Sequence, residues 1–176
     1  MSHNIPIKNI VPFTIISLIA YNSWEAYCSP HEYKRFFYKL RNIFQPSKDL
    51  NYNRLVYSKQ IELLKVDALR NMQIEKQRNG LVIIRAFYGS YESVLNNDFI
   101  NNSVINVTIP IQTFVNRSKL KLSQYSKSGL LGFFDPCPEN CKILMIEYEF
   151  NNLLHRIYAE DQRPTILPSK NHLVNI

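Results

Sequence analysis

Hydrophobic side chains follow three spacings along this chain, and the changes of spacing divide it. Residues 1–28 hold an apolar block, residues 29–79 repeat apolar positions every three to four residues, and residues 80–176 alternate them in pairs. In the first block, the 16 residues between Lys8 and Glu25 carry no charge and include Ile10, Val11, Phe13, Ile15, Ile16, Leu18 and Ile19. That run is near the lower limit for a membrane-spanning helix. Tyr21, Trp24 and Tyr27 follow where an interfacial aromatic belt would lie, and Lys34, Arg35, Lys39 and Arg41 come next. The pattern predicts a single-pass anchor, with the C-terminal body on the more negative side. An apolar helix docked on a partner and a cleavable signal are the rival readings, the last prompted by sequons at Asn101, Asn106 and Asn116.

Two helices are expected in the middle segment. Ser29-Pro30-His31-Glu32 has the residues of a capping box, and Tyr33, Phe36, Phe37 and Leu40 form an aromatic stripe that stops before Pro46. A longer helix is predicted from Asn53 to Arg78, with Tyr57, Ile61, Leu64, Ala68 and Met72 on one face and Asn79-Gly80 as its stop. This basic stalk needs a surface to pack on, either its own domain or a partner, and Leu63, Leu69 and Met72 are candidates to cover an open sheet face.

After Gly80 the pattern becomes strand-like. Strands are expected at Leu81–Gly89, Val104–Val115, Lys119–Leu122, Lys142–Phe150 and Leu153–Glu160, the last two joined by Asn151-Asn152 as a tight hairpin. Pro110 would force an edge or a bulge on the second. The expected class is α+β: a membrane helix, a basic helical stalk, and a small antiparallel β-sandwich or barrel-like domain.

Charge sharpens this division. Pro30–Gly80 has 11 Lys or Arg against 5 Asp or Glu, whereas Leu81–Ile176 has nine basic and eight acidic residues. A nucleic-acid groove in the folded domain is therefore not expected, and membrane lipids are the natural partner of the basic stalk. The four histidines lack zinc-ligand spacing, and no phosphate loop or catalytic carboxylate motif is present, so neither catalysis nor a cofactor is expected. Glu147 and Glu149 alternate on a strand expected to face solvent. Cys137 and Cys141 form either a local disulfide, half of a metal site, or two free thiols in a turn. Gly129 and Gly132 permit a bend that presents Phe133 and Phe134, with Asp135-Pro136 setting a turn. That loop is a candidate interface, or else a plug for the domain's own core.

Arg78–Gly89, Ile105–Ile111, Ser118–Leu120 and Ser126–Cys137 together resemble the C-terminal domain of the DnaJ homologue subfamily C member 11 family, with Tyr148–His155 and Ile166–Ser169 fitting as well. The resemblance covers roughly the last hundred residues, without the J domain. It implies a mitochondrial location, association with cristae-organising machinery, and no established catalytic role. The expectation is a non-catalytic accessory subunit of a mitochondrial inner-membrane complex, either respiratory chain or ATP synthase, whose partners are other subunits and lipids. The alternatives are a component of the cristae-organising contact-site machinery and a residual co-chaperone adaptor.

Overall fold

The computed structural model describes residues 49–100, 102–123 and 125–174, and Asp49 starts the first helix among the described residues. Its carboxylate accepts from the backbone N–H groups of Asn51 at 2.9 Å and Tyr52 at 3.4 Å, satisfying donors that have no partner inside the helix. Helix α1, Leu50–Gln77, then runs for 28 residues, about 42 Å. It ends in a Schellman motif: Asn79 adopts φ 51°, its N–H reaches Lys76 O at 3.3 Å, and Gly80 N–H reaches Glu75 O at 2.8 Å.

The predicted seam faces the domain. Leu64 and Ala68 are buried, with Tyr57, Ile61 and Met72 half-buried beside them. Leu63 and Leu69 do not cover the sheet and stand 43% and 45% exposed. Each lies one residue from the packed positions, which carries it about 100° around the helix.

Beyond α1 come β1 (Val82–Ser90), α2 (Tyr91–Leu95), β2 (Val104–Asn106), α3 (Thr108–Phe114), β3 (Leu120–Leu122), β4 (Lys142–Phe150), β5 (Leu153–Glu160) and β6 (Thr165–Leu167). Four strands make an antiparallel sheet in the order β2-β1-β4-β5, and β3 pairs with β6 in a separate ribbon. The hairpin between β4 and β5 turns on Asn151 and Asn152, at φ 52° and 61°, as the Asn pair predicts.

The α+β class with an antiparallel sheet holds, but no closed barrel forms among the described residues. One face of the sheet packs Ile83, Ala86, Tyr88, Leu144, Ile146 and Tyr148 against α3, the ribbon and the segment containing Phe133 and Phe134. A smaller cluster on the other face joins Val94, Val104, Ile143 and Met145, where Phe87 and Phe99 stack with ring centroids 4.0 Å apart.

The expected strand Val104–Val115 is only three residues long before it becomes α3. Pro110 falls in the first turn of that helix, where a missing N–H costs little. The helix also does the work of a strand. On the side of β1 that β2 leaves uncovered, Thr108 Oγ1 accepts from Ala86 N–H at 2.9 Å and Gln112 Oε1 from Ile83 N–H at 2.7 Å. Buried backbone donors of the sheet are thus paired with helix side chains.

None of the described helices is long and apolar enough to cross a membrane. The predicted anchor, Ile10 to Trp24, and the basic residues Lys34, Arg35, Lys39 and Arg41 lie outside the described residues.

Candidate interaction surfaces

Ser126–Cys137, the segment that combines the candidate interface residues, is spent on the domain's interior. Lys127 opens it in a 3-10 turn that ends at Gly129, and only 1% of Lys127 is exposed. Its ammonium donates to three backbone carbonyls, Glu160 O at 2.9 Å, Asp161 O at 2.5 Å and Arg163 O at 2.8 Å. Burial pushes its pKa below the ordinary lysine value, and the Asp161 carboxylate opposes that shift. Asp161 in turn accepts from Lys127 N–H and from the Tyr88 hydroxyl, both at 2.8 Å. Burial is the first cause that drives the Tyr88 phenol well above its usual range.

Gly132 turns the chain at φ +74°, and a Cβ there would lie 2.5 Å from Pro110 Cγ and 3.1 Å from Leu64 Cδ1. Its N–H donates to Gln60 Oε1 at 3.0 Å, so the loop is tied to α1. Phe133 and Phe134 point inward, edge to face with Tyr88 and Tyr57 at 5.5 Å in each case. Asp135 closes the turn by accepting from Cys137 N–H at 3.0 Å and pairing with Lys142 at 2.9 Å. Of the two sequence readings of this loop, the arrangement matches the core plug.

Cys137 is buried and Cys141 exposed, both as free thiols. Burial, followed by the nearby Asp135 charge, raises the Cys137 thiol. Among the described residues no group of three His, Cys, Asp or Glu could hold a metal ion.

Glu75 is the fastener that composition did not reveal. Its side chain is fully buried and accepts from Leu81 N–H at 3.0 Å, Ser118 N–H at 3.1 Å and Ser118 Oγ at 2.6 Å, with Arg78 paired to it from the solvent side. One carboxylate therefore joins the end of α1, the start of β1 and the turn before β3. Burial by itself would raise its pKa, but the bonds from Arg78 and Ser118 outweigh burial and hold it below the ordinary glutamate value.

The outer sheet face presents a second set. Arg85, Glu147 and Arg156 stand in register across β1, β4 and β5. Glu149 is exposed as expected; Glu147 is not, because the two guanidinium groups cover it and leave its side chain 5% exposed. Arg85 Nη2 donates to Glu147 Oε1 at 2.9 Å and Arg156 Nε at 2.5 Å. The Arg85 bond is the first cause that lowers the Glu147 pKa, with Arg156 adding to it against the cost of burial. Arg85 also lies over the Phe99 ring, 5.9 Å from its centroid. Tyr158, 39% exposed, pairs with Met145 of the cluster on this face, and Ile84, 48% exposed, stands at the irregularity of β1 beside Arg85.

Residues 43–168 match the family described as DnaJ-like protein C11, C-terminal. The chain belongs to this family. It is 35% identical over 115 residues to DnaJ homolog subfamily C member 11 of Bos taurus, covering 65% of this chain and 21% of the relative. The DnaJ homolog subfamily C member 11 homolog of Dictyostelium discoideum is 43% identical over 105 residues, covering 57% of this chain and 18% of the relative. An uncharacterized J domain-containing protein of Schizosaccharomyces pombe is 32% identical over 120 residues, again 65% of this chain and 18% of the relative. The chain thus spans about a fifth of the length of these relatives. No solved structure matches. The DnaJ-like C11 match begins before α1, so it takes in this helix as well as the sheet.

Proposed function

We propose that this chain is a non-catalytic accessory subunit that holds a mitochondrial inner-membrane complex together, a respiratory-chain complex or ATP synthase. The observation that carries the reading is the use made of its buried ionisable groups. Glu75 joins three elements, Lys127 is enclosed by three carbonyls, and Glu147 is clamped by two arginines. Groups committed in this way rigidify a fold; they are not poised to exchange protons with a substrate.

The outer sheet face is the surface offered to other subunits. Its arginines and exposed apolar side chains suit a protein interface, in which arginine and aromatic side chains are enriched. The mitochondrial location rests on the family resemblance, and lipid contact on the apolar block and basic residues before Pro46. The resemblance also supports a second reading, membership of the cristae-organising contact-site machinery.

Gentle detergent extraction, native-gel separation and mass spectrometry of co-migrating proteins test both. Co-migration with an energy-converting complex supports the first reading and co-migration with the cristae-organising assembly the second; migration with neither defeats both. A residual co-chaperone adaptor would instead change Hsp70 ATP turnover when added to it.

A further inference from the structure

The face of α1 turned away from the domain carries its own repeat. Tyr52, Leu55, Lys59, Glu62, Val66 and Leu69 follow one another at intervals of three, four, three, four and three residues, the a/d spacing of a coiled-coil seam. They lie on the helix surface opposite Leu64 and Ala68, and Tyr52, Leu55, Val66 and Leu69 are 45%, 53%, 51% and 45% exposed. None of the ion pairs among the described residues involves Lys59 or Glu62.

The order of residues within this seam is self-complementary on reversal: two apolar, one basic, one acidic, two apolar, so that a reversed copy sets apolar on apolar and basic on acidic. We propose that α1 pairs with α1 of a second copy of this chain, antiparallel, about a two-fold axis between Gln60 and Ile61. In that register each a position meets a d position of the partner copy. Tyr52 faces Leu69, Leu55 faces Val66, and Lys59 faces Glu62, each pair occurring twice because the interface is isologous. The seam extends over about 25 Å.

The charges disfavour two competing arrangements, and only the proposed register pairs Lys59 with Glu62. A parallel pair would set Lys59 on Lys59 and Glu62 on Glu62. An antiparallel pair shifted to bring Leu63 over Val66 would set Lys59 against Arg70. Both bury like charges, which disfavours them. This inference concerns a different surface from the outer sheet face and goes beyond the accessory-subunit reading, so either can fail without the other.

Sedimentation of the full chain in mild detergent across the micromolar range tests it, with circular dichroism reporting the helical fold of each variant. The native chain is expected to be dimeric. Lys59→Glu and Glu62→Lys, each removing two attractive pairs and creating two repulsive ones, should weaken dimerisation about tenfold. The double variant Lys59→Glu/Glu62→Lys restores opposite charges and should restore the dimer. A monomeric native chain, a dimer indifferent to the single substitutions, or a double variant no better than the singles would each overturn the pairing.

Discussion

The carboxylate of Glu75 accepts a hydrogen bond from the backbone N–H of Leu81, 3.0 Å away, across the turn that connects α1 to β1. Gly80 lies inside that bridge, and a Cβ there would fall 2.0 Å from Glu75 Oε2 and 2.4 Å from Ser118 Oγ. Gly80→Ala must therefore break the bridge or displace the turn. Glu75→Ala leaves buried donors unpaired, at about 1–3 kcal/mol for each. Because both changes damage the same contact, the double variant should be less destabilised than the sum of the singles. Denaturant titration of all three proteins measures this, and strict additivity would mean that the bridge is not what excludes a side chain at position 80.

Phe134 supplies the second expectation. It is 5% exposed and meets Tyr57 edge to face, while Tyr57 donates through its hydroxyl to Asn106 O. Phe134→Ala should destabilise by about 3–5 kcal/mol. A substitution that served only an external partner would leave the melting temperature of the isolated chain unchanged. Calorimetry on the isolated chain therefore separates a core plug from a docking knob.

The parts of this fold that depend on local chemistry could be read from the chain. The stop of α1 at Asn79-Gly80 and the Asn151-Asn152 hairpin follow from residues that accept positive φ, and the inner seam of α1 from its 3.6-residue period. Helix α3 could not be read that way. Ile105, Val107, Ile109 and Ile111 alternate as a strand does, and what favours the helix is tertiary: Thr108 and Gln112 supply acceptors that β1 lacks on that side. Glu75 and Glu147 were equally hidden. A glutamate near a helix end or on an outward strand position is ordinarily solvated, and only the arrival of Ser118, or of Arg85 and Arg156, makes these two buried fasteners. The outer α1 seam was present in the sequence as spacing, but separating it from the inner one required knowing which side the sheet occupies.

Both fasteners set the acid limb of stability. The folded pKa values of Glu75 and Glu147 lie below the ordinary glutamate value, so the unfolded chain binds protons more readily as the pH falls toward that range. Their contribution is fully present above the unfolded value, about pH 4.3, and is lost as pH falls through the depressed folded values. Stability measured by denaturant titration should thus decline below about pH 5. Glu147→Gln should flatten that decline while lowering stability at neutral pH, where its charge is paired with Arg85 and Arg156. A variant with an unchanged acid slope would assign the proton uptake elsewhere.

Thr108 gives the cleanest test of a helix standing in for a strand. Gln112 also bonds to β1, but its Nε2 has no hydrogen-bond partner, so removing that side chain combines a loss with a relief. Thr108 Oγ1 has a simpler role, accepting from Ala86 N–H at 2.9 Å. Thr108→Val keeps the shape and removes the acceptor, leaving the Ala86 donor unpaired at a cost of about 1–3 kcal/mol. Global stability should fall by that order, and the Ala86 amide should lose more hydrogen-exchange protection than amides in the β4–β5 hairpin. If Ala86 stays as protected as its neighbours, its donor is covered by something other than the Thr108 hydroxyl, and the polar link of α3 to β1 is the Gln112 bond to Ile83 N–H.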